Sequence, residues 1–215
     1  MARFPRSLLS DLTSHFHVIC RGNNRGKLFL AEEDYEQFHG LMQRACALWS
    51  AEIYHYVFMT THTHFLCCVP TIQTLSKMFH WIQLLYCQYY QRKYPAIGHL
   101  WHSRFRSIPI LAESHLLRCG RYIELNPVAA GLALQAATYR WSSYQRYACG
   151  RPDNLVTLSP WVLAMGEDVG ERAFAYAAYV EEGATAGSDE DALLFEQKTT
   201  PRLPEQPRIP KWCTR

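Results

Sequence analysis

The order of apolar and polar residues predicts regular elements from residue 15 onward. Residues 15–21 alternate as in a β-strand and are followed by turn-forming glycine and asparagine. Between residues 32 and 49 the apolar positions recur every three or four residues, which is typical of one face of a helix. Residues 53–59 and 63–69 are rich in β-branched and aromatic side chains, so they predict two strands joined by a short turn.

Three further elements complete the pattern. Residues 75–94 are apolar and aromatic, with Thr74 as the predicted N-cap and Pro95 just beyond the end, which indicates a long helix. Residues 101–111 alternate again and predict a fourth strand, and residues 115–125 predict a shorter helix. The order β-α-β-β-α-β followed by a helix indicates an α+β protein with a ferredoxin-like, split βαβ sandwich. Two helices would cover one face of an antiparallel sheet, with a further C-terminal helix after them.

The character of the chain changes after residue 150. Residues 158–180 predict one or two short helices, and residues 183–191 are small and acidic. Proline stands at every third position from 201 to 210, as in polyproline II. We therefore divide the chain into a domain of residues 1–150, a short helical extension of residues 151–182, and a flexible acidic and proline-rich tail of residues 183–215.

The charge follows the same division. The net charge of the 215 residues is only +3, but residues 1–150 hold 15 Lys and Arg against 8 Asp and Glu, and the remainder holds 7 against 11. The net charge of the whole chain is too small to indicate a nucleic-acid binder, but a basic domain followed by an acidic region differs from a near-neutral protein. The chain has no apolar run long enough to span a membrane, no apolar signal-peptide stretch and no Cys-x-x-Cys pair, and its eight cysteines lie mostly in apolar runs. We expect a cytoplasmic protein without a membrane partner.

Two small motifs are candidates for chemistry. His62 and His64 lie two residues apart on a predicted strand, so their imidazoles share a face and could chelate one metal ion; an ordinary surface pair is the alternative. His15 and His17 form a second such pair. Tyr122 and Asn126 would share one face of the last predicted helix. Pro127, however, disfavours helical geometry at residue 126, so a helix end with a core-facing tyrosine is the alternative.

Basic and aromatic residues suggest a phosphate-binding surface. Arg104 and Arg106 would share one face of the fourth strand, and the loop of residues 21–27 has backbone amides as well as charge. Solvated arginines at a sheet edge are the alternative. The candidate DNA-binding residues are Arg21, Asn23, Asn24, Arg25, Lys27, Trp101, Arg104, Arg106 and Arg121.

Over roughly residues 1–150 the chain resembles the REP-associated tyrosine transposases, which belong to the IS200-like group of single-tyrosine HUH nucleases. The resemblance rests on several segments in a fixed order. They are Arg21-Gly22-Asn23-Asn24-Arg25, Tyr56-Val57-Phe58-Met59 with His62-Thr63-His64, Gly98-His99-Leu100-Trp101 with Arg104-Phe105, RYIELNPVAAGL at 121–132, and Trp141-Ser142-Ser143-Tyr144.

The resemblance implies a ferredoxin-like fold and metal-dependent cleavage and rejoining of single-stranded or hairpin DNA. By position it implies that Tyr122 is the nucleophile and that His62, His64 and Asn126 bind a divalent cation, Mg²⁺ or Mn²⁺. Histidine ligands suit Mn²⁺ better. Attack by the tyrosine would leave a 5′-phosphotyrosine and a free 3′-hydroxyl.

Two departures from the family pattern concern the histidine hairpin. Thr63 stands where a bulky apolar residue is usual, and Thr60-Thr61 replaces a Pro-Asn pair. Both histidines are present, so we expect the chemistry to be retained and the approach angle of the hairpin to be the affected feature.

Other classes of function remain open from the sequence. A DNA-binding regulator of repeated palindromes without catalysis would need the same phosphate contacts. A cytosolic metalloenzyme acting on a small molecule would use the same histidines in a deep pocket. A replication-initiation nuclease shares the chemistry. The protein is expected to act as a monomer or a homodimer.

Overall fold

The structure is a computed structural model that describes residues 13–95 and 98–185. Within these residues the chain forms four strands and six α-helices. The strands are β1 (His15–Arg21), β2 (Glu52–Met59), β3 (His62–Cys68) and β4 (Arg106–Pro109). The helices are α1 (Glu32–Trp49), α2 (Ile72–Lys93), α3 (Ser114–Ala129), α4 (Tyr144–Tyr147), α5 (Pro160–Leu163) and α6 (Val169–Thr185).

The four strands form one antiparallel sheet in the order β2-β3-β1-β4. Helices α1 and α2 pack on one face of it through a large apolar core. Helix α3 packs on the other face through a smaller apolar cluster. The α+β, ferredoxin-like sandwich expected from the sequence is therefore confirmed, including the additional helix that follows the fourth strand.

Alternation along β1 and β3 decides which side chains reach each face. On β1, Phe16, Val18 and Cys20 belong to the core under α1 and α2. The residues between them face α3, because successive side chains of a strand point to opposite sides. On β3, Leu66 joins the cluster under α3. His64 lies two residues before it and shares that face.

Strand β4 and helix α2 begin at residues other than those predicted. Strand β4 begins at Arg106, because residues 102–104 form a bend and Trp101 makes only an isolated bridge to Gly22. Arg104 therefore lies outside the strand and does not share a strand face with Arg106. Helix α2 begins at Ile72, and its N-cap is Thr71, whose hydroxyl accepts a hydrogen bond from the Thr74 N–H at 3.1 Å.

Helix α3 continues through Pro127 instead of ending before it. A proline in the last turn removes only its own N–H donor, and the carbonyls around it are still paired. The N–H of Ala130 donates to the Asn126 carbonyl at 2.9 Å, and the N–H of Leu132 donates to the Pro127 carbonyl at 2.8 Å. Asn126 therefore belongs to a continuous helix, one turn beyond Tyr122.

The segment after residue 150, where one or two short helices were predicted, contains α5 and α6. Helix α6 packs against α3 and α4, and Tyr176 and Val180 are buried there. It extends to Thr185, past residue 183 where the tail was predicted to begin; residues 186–215 lie outside the described part of the chain. None of the helices in the described ranges has the length and apolar character needed to cross a membrane.

Candidate functional site

The histidine pair lies at the start of β3, on the sheet face that α3 covers. His62 and His64 are on the same side of the strand, with their ring centroids 5.0 Å apart. His64 is 1% exposed, whereas His62 is half-buried. Their Cα partners on β1 are Arg21 for His62 and Ile19 for His64. The pair therefore combines a buried imidazole with one that reaches the edge of the packed region.

A third histidine, His17 on β1, joins this pair. Its Nε2 lies 2.9 Å from Nδ1 of His64, and the two rings stack with centroids 5.1 Å apart. His17 is completely buried. The sequence showed His17 only as half of a second His-x-His motif. The available signal was its position on the strand, but the pairing register that brings it to His64 was not predictable.

Tyr122 and Asn126 reach the same place from α3. The Tyr122 ring meets the rings of His17 and His64 edge-on, with centroid separations of 5.7 Å and 5.8 Å. The side-chain amide nitrogen of Asn126 donates to the Tyr122 main-chain carbonyl at 2.7 Å. Because that nitrogen is engaged, the amide oxygen is the Asn126 atom with the chemistry to bind a cation. The structure thus brings the tyrosine and the histidines together, with Asn126 one turn along the same helix.

The three imidazoles are neutral at pH 7. Burial lowers the pKa of His17 to about 3, and the charge of Arg106 acts in the same direction. Burial and then Arg21 lower the pKa of His62 to about 4. Burial, followed by the neighbouring histidines and arginines, holds the pKa of His64 well below its usual range. Neutral imidazole is the form that binds a metal ion.

One buried nitrogen of the site fits the role of a metal ligand. Nε2 of His64 is buried and has no hydrogen-bond partner among the described residues, which is costly for a polar atom unless something binds it. Among residues 13–95 and 98–185 no three or more His, Cys, Asp or Glu side chains are grouped as a metal site. The predicted set is instead two imidazoles and one amide, so it includes only two residues of those types. The donors present are compatible with a divalent cation that keeps part of its water shell.

Thr61 and Thr63, at which the hairpin departs from the family pattern, face different surroundings. The hydroxyl of Thr61 lies 3.0 Å from Nδ1 of His62. Thr63 is fully buried and faces away from the histidines, opposite Cys20 on β1. The substitution at residue 61 therefore touches the site, and the one at residue 63 does not.

The basic loop after β1 is fixed beside the β2–β3 turn. The N–H of Gly22 donates to the Thr61 carbonyl and the N–H of Leu28 donates to the Thr60 carbonyl, both at 2.8 Å. A side chain at position 22 would collide with the Gly26 carbonyl, so only glycine allows this close approach. The loop and the histidine hairpin consequently form one surface.

Within this loop the structure limits how a phosphate can be bound. The amide of Asn23 donates to the Leu100 carbonyl at 2.8 Å, and the amide of Gly26 donates to the Asn23 carbonyl at 2.7 Å. Asn24 and Arg25 have left-handed backbone angles, with φ of 49° and 57°. The side chains of Asn24, Arg25 and Lys27 are exposed. This loop can therefore bind a phosphate through its charged and polar side chains more than through its main-chain amides, of which those of Asn23 and Gly26 are already paired.

Of the remaining basic candidates, one lies at the histidine site and two lie elsewhere. Arg106 is half-buried and close enough to His17 and His64 to lower the pKa of both. Arg104 is exposed in the bend before β4. Arg121 instead lies over the Tyr179 ring of α6, with its guanidinium carbon 4.6 Å from the ring centroid.

Trp101 is part of the protein interior more than of an open surface. Its ring nitrogen donates to the Gln83 carbonyl at 2.9 Å, and its ring packs near Phe38 and Tyr86 in the core under α1 and α2. This half-buried tryptophan anchors the residues before β4 to α2.

Comparisons with known proteins identify the family of the chain. The family model described as "Transposase IS200 like" matches residues 11–126, just over half of the chain, and this range includes both site histidines, Tyr122 and Asn126. No curated protein matches the chain. The fold is similar to that of a REP-associated tyrosine transposase bound to a REP hairpin, with a TM-score of 0.59 and 17% identity over 74% of this chain and 93% of that one.

A second solved structure is much less similar. The tRNA(His) guanylyltransferase from Saccharomyces cerevisiae aligns with a TM-score of 0.36 and 12% identity over 71% of this chain and 81% of that one, which supports no conclusion. The extent of the family match, by contrast, confirms the resemblance drawn from the sequence motifs. The chain belongs to the IS200-like transposase family.

Proposed function

We infer that this transposase cleaves and rejoins single-stranded DNA at REP-like hairpins through a 5′-phosphotyrosine formed on Tyr122. The observation that carries the proposal is the contact of the Tyr122 ring with His64, whose Nε2 is buried without a hydrogen-bond partner among the described residues. The ring of the proposed nucleophile thus packs against the imidazole that carries the proposed metal-binding nitrogen. One chain supplies all of these side chains, so the proposal does not require a second copy.

The proposed cleavage is a transfer of the phosphoryl group to the tyrosine. The Tyr122 oxygen forms a bond to the phosphorus while the bond from phosphorus to the 3′ oxygen breaks. The phenol loses its proton to solvent, and the departing 3′ oxygen gains one. In the reverse reaction a 3′-hydroxyl attacks the phosphotyrosine and restores a continuous strand. The energy of the broken bond is retained in the ester, so rejoining needs no nucleotide cofactor.

His62, His64 and Asn126 are the residues that would hold a divalent cation. A bound cation supplies positive charge that neutralises the phosphate oxygens during the transfer. Two neutral imidazoles favour Mn²⁺ over Mg²⁺, because Mg²⁺ prefers a shell made entirely of oxygen.

The charges of Arg21 and Arg106 lower the pKa of His64, and both arginines are proposed to contact the DNA backbone there. Arg21 lies across from His62 in the sheet, and Arg106 affects both buried imidazoles. The exposed side chains of the loop beside the hairpin extend this positive surface. The similar solved structure holds a REP hairpin, and we extend that substrate class to this chain as part of the proposal.

The test is formation of a covalent adduct with a labelled hairpin that carries a single-stranded flank. With Mn²⁺ the wild-type protein should give an adduct that survives SDS, and Tyr122→Phe should give none while still binding the DNA. Tyr54→Phe is a matched control, because Tyr54 packs on the same sheet face but donates its hydroxyl to Glu52 at the far end of β2. An adduct of normal yield with Tyr122→Phe would overturn the assignment.

The same assay decides between the alternative functions. Tight binding of the hairpin without an adduct in the wild type would favour the regulator that lacks catalysis. A small-molecule metalloenzyme would need a deep pocket at the histidines. One cavity of about 320 Å³ among the described residues is lined by residues such as Tyr56, Trp141 and Asp153, and neither His62 nor His64 lines it.

A further inference from the structure

Each of the two site histidines has its Nδ1 nitrogen beside a specific partner. Nδ1 of His64 lies 2.9 Å from Nε2 of His17, and Nδ1 of His62 lies 3.0 Å from the hydroxyl of Thr61. These partners come from different elements, since His17 is on β1 and Thr61 is in the turn before β3. The same ring atom is therefore engaged in both histidines, by two unrelated parts of the chain.

The contact between His17 and His64 is diagonal across the β1–β3 pair. His17 has Leu66 as its Cα partner, and His64 has Ile19, so the two histidines are two positions out of register on the same face. Long side chains bridge such diagonal positions in a sheet. Because both rings are buried, no water competes for this hydrogen bond.

The direction of each of these hydrogen bonds depends on which imidazole nitrogen carries the proton. A neutral imidazole carries one proton, and the nitrogen that lacks the proton is the one that binds a metal ion. If Nδ1 of His64 donates to His17, Nε2 of His64 is left as the acceptor, and that Nε2 is buried with no partner in the part of the chain that the structure describes. By the same reasoning, donation from Nδ1 of His62 to the Thr61 hydroxyl leaves Nε2 of His62 as the acceptor.

We propose that His17 and Thr61 are positioning residues, which set the ring orientation and the tautomer of His64 and His62 so that Nε2 of each faces a divalent cation. The inference rests on the proposed function, because it assigns roles around the same site. Hydrogen bonds of this kind orient the ligands in metal sites, and their loss typically weakens metal binding by about 10- to 100-fold. Thr61 supplies its hydrogen bond although its sequence position departs from the family pattern.

The first test measures the affinity of the DNA-free protein for Mn²⁺ by electron paramagnetic resonance. His17→Leu fills the buried position with an apolar side chain and removes the Nε2 acceptor beside His64. Mn²⁺ should therefore bind about 10- to 100-fold more weakly. His17→Gln keeps an acceptor oxygen at a similar reach and should restore most of the affinity. Unchanged Mn²⁺ affinity in a folded His17→Leu protein would overturn the role of His17.

Thr61 gives an independent test that does not disturb the buried core. Thr61→Val has nearly the same shape without the hydroxyl and should weaken Mn²⁺ binding, whereas Thr61→Ser should behave like the wild type. Equal affinities for the Val and Ser variants would overturn the role of Thr61. Both variants keep the main-chain carbonyl that pairs with Gly22, so the loop itself should be unaffected.

The tautomers provide a readout that a merely structural role would not change. In metal-free protein labelled with ¹⁵N-histidine, His64 and His62 should both carry the proton on Nδ1. His17→Leu should shift His64 toward the other tautomer and leave His62 unchanged, and a His64 signal that does not respond would contradict the proposal.

His64→Ala distinguishes a failure of the proposed metal site from a failure of the proposed positioning roles. If it leaves Mn²⁺ binding intact, the proposed metal site itself is wrong. If it abolishes binding while His17→Leu and Thr61→Val have no effect, the site is sustained and only the positioning roles fail.

Discussion

The hydroxyl of Tyr176 on α6 donates a hydrogen bond of 2.7 Å to the carboxylate of Glu124 on α3, two residues after the proposed nucleophile. The same carboxylate accepts a hydrogen bond of 2.6 Å from the Ser143 hydroxyl and lies 3.0 Å from Nδ1 of His55 on β2. All four side chains are buried. Helix α6 lies beyond the family match, so this network ties the segment after residue 126 to the helix that carries Tyr122.

Tyr176→Phe should destabilise the protein by about 1–3 kcal/mol, because the buried Glu124 loses a donor that nothing replaces. Burial, together with Glu124, raises the pKa of Tyr176 well above its usual range, so its hydroxyl remains a donor throughout the working pH range. The free energy of unfolding from urea titrations measures the effect. Phe174→Leu is the control on the same helix, since Phe174 is 79% exposed and its change should stay within about 0.5 kcal/mol. Equal effects of the two changes would contradict the role of the network.

Thr63→Val should leave Mn²⁺ affinity and adduct formation unchanged, because the side chain faces the core under α1 and α2 and not the histidines. The thiol of Cys20, a weak hydrogen-bonding group, is the neighbour of the buried Thr63 hydroxyl. Replacing the Thr63 hydroxyl by a methyl group of similar size should be neutral or should stabilise the fold by up to about 1 kcal/mol. Thermal unfolding and Mn²⁺ titration together check this. A loss of metal affinity would show that residue 63 influences the hairpin after all.

Arg21→Ala should weaken binding of single-stranded DNA and reduce the salt dependence. Removing one phosphate contact lowers the slope of log affinity against log salt by about 0.7 for a single strand. Fluorescence anisotropy at several salt concentrations measures that slope. Arg44→Ala is the matched control, because Arg44 lies over Trp81 between α1 and α2, on the opposite side of the sheet. The assignment fails if both variants lower the slope equally.

We expect protonation of Asp34 to destabilise the protein in acid. Its carboxylate, which is inaccessible to solvent, accepts hydrogen bonds from main-chain and side-chain donors. These donors are the N–H groups of Leu30 and Ala31, the hydroxyls of Tyr89 and Tyr94, and the ammonium of Lys93. Desolvation raises the pKa of Asp34, but the hydrogen bonds outweigh it and lower the pKa to about 2, from 3.8.

Because the folded-state pKa is the lower one, the stabilisation from Asp34 is fully present above the unfolded pKa. It is lost as the pH falls from about 4 to about 2. Asp34→Asn should therefore be less stable than the wild type at neutral pH, and the difference should shrink over that interval. Urea titrations between pH 2 and pH 7 test this. A stability difference between Asp34→Asn and the wild type that stays constant with pH would contradict the account.

Much of the site was predictable because local periodicity fixes the face on which a side chain lies. Alternation along a strand is enough to put His62 and His64 on one side, and the spacing of four residues is enough to stack Tyr122 and Asn126 once the helix continues. The order of strands and helices was likewise sufficient for the ferredoxin-like fold, because few topologies accommodate that order.

The partners of these residues were decided only by the tertiary structure. His17 reaches His64 across 47 positions of the chain, and nothing in either strand's own pattern specifies the register between them. Arg121 is close to Tyr122 in sequence but lies on Tyr179 instead, because α6 packs against α3. Amphipathic patterns determine which faces are buried, whereas the combined burial of all those faces determines which of them meet. The sequence by itself thus determined the chemical groups and their faces, and the packing decided which histidines are in contact.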